Sequence, residues 1–278
     1  MGLWFTEKHT KNLGITLKVK TALFHGKSEY QVIDVLDTFE FGRMLLLDGL
    51  VMITERDEFV YHEMITHTPI CVHPAPSNIL VIGGGDGGTI REILRHPEVK
   101  RADLVEIDKL VIEKSMEFFP SVSSKLKDPK VNIIVKDGIR YIKEHRNEYD
   151  VITIDSTDPI GPGEGLFKRE FYKSVFDSLK EDGIMVAQTE SPFVNENLVA
   201  NIFKNIKAIF PIVKMYTASI PTYPGGYWSF SFGSKKYDPI KDFNQKRAAD
   251  IQAQLKYYNS DIHKASFALP NFVQKLCS

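Results

Sequence analysis

At 278 residues, with 43% hydrophobic and 26% charged side chains, the chain has the composition of one large globular domain or a large one with a small companion. A formal net charge of −1 and a pI near 6.7 argue against nucleic acid or an anionic membrane as the main partner. No apolar run approaches the ~20 residues of a membrane span, and residues 1–8 lack the basic and apolar regions of a secretory signal.

The N-terminal part reads as strands and turns. Short segments at 15–20, 30–36, 43–47 and 50–54 are broken by Gly14, Gly26, Gly42 and Gly49, and Asp48-Gly49 between two apolar runs is a strong hairpin signal. Near residue 56 the pattern changes. Thr54-Glu55-Arg56-Asp57 resembles a capping box, followed by a helix-compatible stretch to Thr68 that Pro69 should stop. Tyr61 and His62 lie about one turn into this helix, where they either line an interdomain cleft or pack as ordinary helix residues. Beyond it, strands at 79–82, 103–107, 131–135, 151–154, 183–188, 212–216 and 228–232 alternate with helices at 89–95, 110–119, 139–145, 169–179 and 195–209. Alternation of this kind predicts a mostly parallel sheet with helices on both faces. The expected organisation is a β-stranded domain over 1–56 and an α/β domain over 57–278. The charged stretch 241–256 reads as a solvated amphipathic helix. Cys71 and Cys277 fit no metal spacing and are expected as reduced thiols of a cytoplasmic protein, with no metal bound.

Three strand ends carry chemistry. Strand 79–82 runs into Gly83-Gly84-Gly85-Asp86-Gly87-Gly88, where glycines 83, 85 and 88 satisfy GxGxxG between a strand and a helix. The next strand ends at Glu106, about 20 residues on, as ribose hydroxyls require. The third ends at Asp137-Gly138, an acid suited to an adenine amine. These acids point to an adenine-nucleoside site, the alternative being that they only cap helices. Asp86 would repel a pyrophosphate or a free carboxylate, so by charge it best suits decarboxylated S-adenosylmethionine. The fourth strand ends in Asp155-Ser156-Thr157-Asp158-Pro159, two carboxylates placed either to hold a cationic amine or to form a turn.

The chain closely resembles the spermidine synthases, the polyamine aminopropyltransferases, over essentially its full length. The motifs are Leu47-Asp48-Gly49, Thr54-Glu55-Arg56-Asp57-Glu58-Phe59-Val60-Tyr61-His62-Glu63-Met64, Ile82 to Gly88, Asp155 to Pro162, and Pro221-Thr222-Tyr223-Pro224-Gly225-Gly226. The resemblance implies a methyltransferase-like Rossmann domain carrying a small N-terminal β domain, assembled as a homodimer or homotetramer. It implies transfer of an aminopropyl group from decarboxylated S-adenosylmethionine, a co-substrate, to putrescine, with no cofactor. By the family pattern Gln31, Glu106, Asp137, Gly138 and Pro162 face the nucleoside. His62, Asp86, Ser156, Thr157, Asp158, Gln188 and Tyr223 face the amine or aminopropyl group. Asp155 matches the proton acceptor, Tyr61 the hydroxyl that helps place the amine, and 155–162 the loop that closes over substrates. Met52 stands where many relatives carry glutamine. The rival readings are a methyltransferase, a nicotinamide-dependent oxidoreductase, which Asp86 disfavours, and a non-catalytic polyamine sensor.

Overall fold

Five antiparallel strands open the chain: β1 (Leu3–Lys8), β2 (Gly14–Lys27), β3 (Val32–Thr38), β4 (Gly42–Leu47) and β5 (Leu50–Thr54), lying side by side in sequence order. The computed structural model describes residues 2–157 and 161–278. Strand β1 has no counterpart among the strands expected from the pattern, because Thr6, Glu7 and Lys8 break its apolar run. The β4–β5 hairpin turns through Asp48 at φ 50° and Gly49 at φ 80°, as a two-residue turn of the primed type requires.

Helix α1 (Glu58–Ile70) follows, and then the strands and helices alternate as β6 (Asn78–Gly83), α2 (Gly88–Ile93), β7 (Arg101–Glu106), α3 (Lys109–Phe118), β8 (Val131–Val135), α4 (Gly138–Lys143), β9 (Tyr149–Asp155), α5 (Arg169–Ser178), β10 (Leu179–Gln188), α6 (Glu196–Lys207), β11 (Ile212–Ala218) and β12 (Trp228–Ser234). The seven strands order as β11-β12-β10-β9-β6-β7-β8, with β12 antiparallel to both neighbours and the other pairs parallel. The architecture is thus an N-terminal antiparallel sheet followed by a Rossmann-like α/β domain.

Two local expectations fail for physical reasons. Pro69 does not stop α1 but sits in its penultimate position, so the helix forgoes the bond an N–H there would make to the Ile65 carbonyl and ends one residue later. The stretch 241–256 is helical only over α7 (Gln245–Gln252), and it is not simply solvated. Arg247 is buried there and donates to the carbonyls of Ile70, His73 and Pro74, pinning the helix to the end of α1.

The N-terminal sheet packs on the α/β domain through Ile33, Val35, Leu45 and Ile53 against Val111, Phe119 and Val122. Among the described residues, no helix is long and apolar enough to cross a membrane.

Candidate active site

Strand order reverses at β6, which pairs with β7 on one side and β9 on the other. Ligands of doubly wound sheets lie outside the carboxyl ends of the strands at this point. A cavity of about 410 Å³ opens there, lined by the 83–86 loop, Glu106, Asp137 and Asp155 from the α/β domain and by Leu45, Leu47, Met52 and Ile53 from the N-terminal sheet. Both domains therefore build it.

One end has the groups expected of a nucleoside site. Glu106 is buried and accepts the Asp108 N–H at 2.9 Å; burial, aided by the Asp108 carboxylate, pushes its carboxyl up to about 7. Asp137 accepts the Ile139 N–H at 2.8 Å as the N-cap of α4, yet it also lines the cavity beside Gly138. Capping and lining are both true of it. Gln31 lines the same end, and its Nε2 donates to Asp108 Oδ2 at 2.9 Å, where Ser28 Oγ also donates at 2.6 Å.

The other end is built around Asp155, the last residue of β9. Tyr61 donates its hydroxyl to Oδ1 at 2.7 Å, and Thr89 donates to Oδ2 at 2.6 Å. A carboxylate has about four lone-pair positions, so each oxygen can still accept a proton. Burial, and next the charge of Asp86, raises the Asp155 carboxyl above its ordinary range, against the opposing pull of His62 and the two hydroxyls. Burial and the adjacent Asp155 hold Tyr61 well above the usual phenol range, so it is a donor and not a base.

Asp86 is not a bare carboxylate facing the cavity. Its Oδ1 accepts the Gly88 N–H at 2.7 Å and stands 3.1 Å from His62 Nε2. Burial is the largest influence and opposes ionisation, but the His62 charge, the contacts from His62 and Gly88 and the Arg91 charge together overcome it and lower the Asp86 carboxyl. Burial likewise opposes a charged His62 ring, but Asp86 and then Glu58 prevail and lift it to about 10. One atom each of His62, Asp86 and Asp155 lie within 4.8 Å of one another, a grouping that could bracket a metal ion. Both ring nitrogens already face carboxylates, Nδ1 that of Glu58 at 2.6 Å and Nε2 that of Asp86 at 3.1 Å, so the grouping reads as a charge network.

Tyr223 lines the large cavity and donates its hydroxyl to the Met52 carbonyl at 2.6 Å. Ser156 and Thr157 line both this cavity and a smaller one of about 30 Å³. Gln188 lines only the smaller one; its Nε2 donates to the Ser156 carbonyl at 3.2 Å and its Oε1 accepts the Glu190 N–H at 3.1 Å. Asp158 and the side chain of Pro162 lie outside the described residues, and the expected closing loop 155–162 falls partly there.

A family model described as the spermine/spermidine synthase domain matches residues 58–245, and one described as the spermidine synthase tetramerisation domain matches residues 3–55. The chain belongs to the spermine/spermidine synthase family. Polyamine aminopropyltransferases of this family from Shouchella clausii (strain KSM-K16) and Bacillus subtilis (strain 168) are each 54% identical to it, over 99% of this chain and 99% and 98% of theirs. Among solved structures, a spermidine synthase in complex with the transition state analogue AdoDATO superposes with a TM-score of 0.97 at 45% identity, covering 99% of this chain and 94% of that one. Spermidine synthase from Thermotoga maritima gives 0.94 at 43% identity, with the same coverage. Membership makes the chain a polyamine aminopropyltransferase, with the fold its sequence implies.

Some residues of the site escape the sequence reading. Thr89, the second Asp155 partner, follows the glycine loop as one more small residue. Glu7 lines the smaller cavity from the start of the chain, a position with no local signature. Glu58 and Arg91, which hold His62 from behind, read only as helix-surface charges.

Proposed function

We propose that this chain transfers the aminopropyl group of decarboxylated S-adenosylmethionine to putrescine, forming spermidine and 5'-methylthioadenosine. The observation that carries the reading is the placement of Asp155. It is a buried carboxylate with both oxygens held by hydroxyls, at one end of a cavity whose other end offers Glu106, Asp137 and Gln31 to a nucleoside.

In this reaction the putrescine nitrogen attacks the aminopropyl carbon next to sulfur. The N–C bond forms, the C–S bond breaks, and the sulfur leaves as a neutral thioether with the bonding pair. The difficulty is the proton on the amine. A primary amine has a pKa near ~10.4 and an ordinary Asp near ~3.9, so direct transfer is uphill by roughly 9 kcal/mol. The raised carboxyl of Asp155 shortens that gap from one side. A sulfonium held beside the amine lowers the amine's pKa from the other. Tyr61 and Thr89 fix the carboxylate, which favours an aligned attack. Asp86 and Tyr223 are proposed to face the amine or aminopropyl group, and Gln188 to support the Ser156–Thr157 wall.

Incubation with putrescine and decarboxylated S-adenosylmethionine, followed by mass spectrometry, tests the reading. Spermidine and methylthioadenosine in equal amounts are expected; a methylated amine formed from intact S-adenosylmethionine would replace it with methyl transfer. The match of β1–β5 to a tetramerisation domain, and the exposure of Leu3, Trp4 and Phe39 on this part of the chain, support a homo-oligomer, a dimer or tetramer by light scattering. The free thiols of Cys71 and Cys277 suit a reducing cytoplasm.

A further inference from the structure

Behind His62 lies a chain of charges that lines neither of the two cavities described above. Glu58, one helical turn earlier on α1, places Oε2 2.6 Å from His62 Nδ1. Arg91 of α2 grips both Glu58 oxygens, NH1 to Oε1 at 3.0 Å and NH2 to Oε2 at 2.8 Å, and donates Nε to Glu92 at 2.6 Å. Neither Glu58 nor Arg91 lines the large cavity. The ring itself is fully buried and seated against Gly88, where an added Cβ would come within 2.2 Å of His62 Cε1. Only glycine permits that seat.

The chemistry of the ring follows from what surrounds it. Nδ1 faces the Glu58 carboxylate. Nε2 stands 3.1 Å from Asp86, close enough for an ion pair but without a well-aligned hydrogen bond, and Asp155 completes the group within 4.8 Å. The edge of Tyr61 is the other titratable neighbour on α1. A neutral imidazole would turn a lone pair toward one of these carboxylates. A cation attracts all three.

We infer that the Arg91–Glu58 pair is a positioning device for aminopropyl transfer: it holds the His62 ring in place and charged against Asp86, and thereby tunes the acidity of the nearby base Asp155. Arg91, Glu58, His62 and Asp86 form an alternating row whose charges cancel. That row leaves the Asp155 carboxylate as the net negative charge facing an incoming amine. Without Glu58 the ring gives up its Nδ1 proton, Asp86 is left uncompensated, and its repulsion makes Asp155 hold a proton more tightly. The inference rests on the proposed reaction for its consequence in turnover, but not for the state of the ring.

Two readouts therefore test it. In ligand-free protein with 15N-labelled histidine, the His62 ring is expected to show the imidazolium pattern at pH 7.5; a neutral ring there would overturn the inference whatever the enzyme's reaction. In Glu58→Gln the ring is expected to become the neutral Nε2–H tautomer. The acid limb of kcat/KM for the amine should then move up by about one pH unit, the size of effect one lost neighbouring charge produces. Glu58→Gln added to His62→Gln should shift the limb no further. A ring that stays cationic in Glu58→Gln, or a lower kcat with an unmoved limb, would reduce Glu58 to a structural role. Should Glu58→Gln not fold, Glu58→Asp, which keeps the charge but withdraws it from Nδ1, takes its place: an acid limb moved up supports the role of Glu58 and an unmoved one overturns it. If no aminopropyl transfer occurs at all, the proposed reaction falls, while an imidazolium or a neutral ring still supports or overturns the charged state of His62.

Discussion

The two halves of helix α1 use the same residue types to opposite ends. In the first, Glu58 and His62 meet Arg91 and Asp86, and His62 lines the large cavity. In the second, His67 bridges His96 at 2.9 Å and Glu92 at 3.1 Å, and Glu63 accepts three backbone N–H groups, from Lys256, Tyr257 and Tyr258, at 2.8–2.9 Å. Neither cavity touches His67, His96 or Glu63. Burial is nearly complete in both halves. A helix buried on every side must give its charged groups partners, and the carboxylates and imidazole rings of both halves find them. What separates them is where the charge is left over. The first half leaves the Asp155 carboxylate facing open space, and the second closes on itself. Histidine and glutamate on a helix therefore say little about function until the excess charge is located.

The sharpest way to break this comparison is Asp155→Asn. With saturating substrates kcat is expected to fall by about 10²–10⁴, the usual worth of a positioned base, while urea unfolding changes little; near-wild-type turnover across neutral pH would dismiss Asp155 as proton acceptor. Glu63→Leu should do the reverse. It leaves three buried N–H groups without an acceptor, so unfolding free energy should drop by roughly 3–5 kcal/mol, with turnover per folded molecule unchanged within about twofold. Lost activity at unchanged stability would place the second half in the site after all.

The smallest effect lies in the pH dependence of melting. His62 is raised to about 10, so its contribution is complete below its ordinary value of 6.5 and fades as pH climbs toward 10. His96 is held well below 6.5 by burial first and then by its charged neighbours. Its contribution is complete above 6.5 and fades as pH falls below it. Melting curves from pH 5 to 10 should lose part of their alkaline decline in His62→Gln and part of their acid decline in His96→Gln. Identical profiles in the two variants would mean the two halves do not differ in this way.

Much of this was legible in the sequence. The strand ends announce themselves because an apolar run that stops at glycine or aspartate has only one physical reading in an alternating α/β pattern. Glu106, Asp137 and Asp155 could be placed on that ground, each at the end of its strand or the helix cap just past it. Strand β1 was not legible, since it is polar along much of its length and owes its form to pairing with β2. Nor was the charge state of Asp86. Its partner His62 is 24 residues away, and no local periodicity links a glycine loop to the face of a preceding helix. Thr89 and Arg91 share this limit: their roles depend on α2 lying against α1, which is a fact of packing. The likeness to relatives supplied names for residues, but not the row of charges behind them.

Strands β6 and β9 pair in register up to Gly83 opposite Asp155. The start of the glycine loop and the carboxylate proposed to take the proton thus face each other on the last rung of one ladder. Neither can drift in evolution without unzipping the middle of the sheet. The walls of the smaller cavity, from β1, β5 and the 223–228 segment, are not part of that rung.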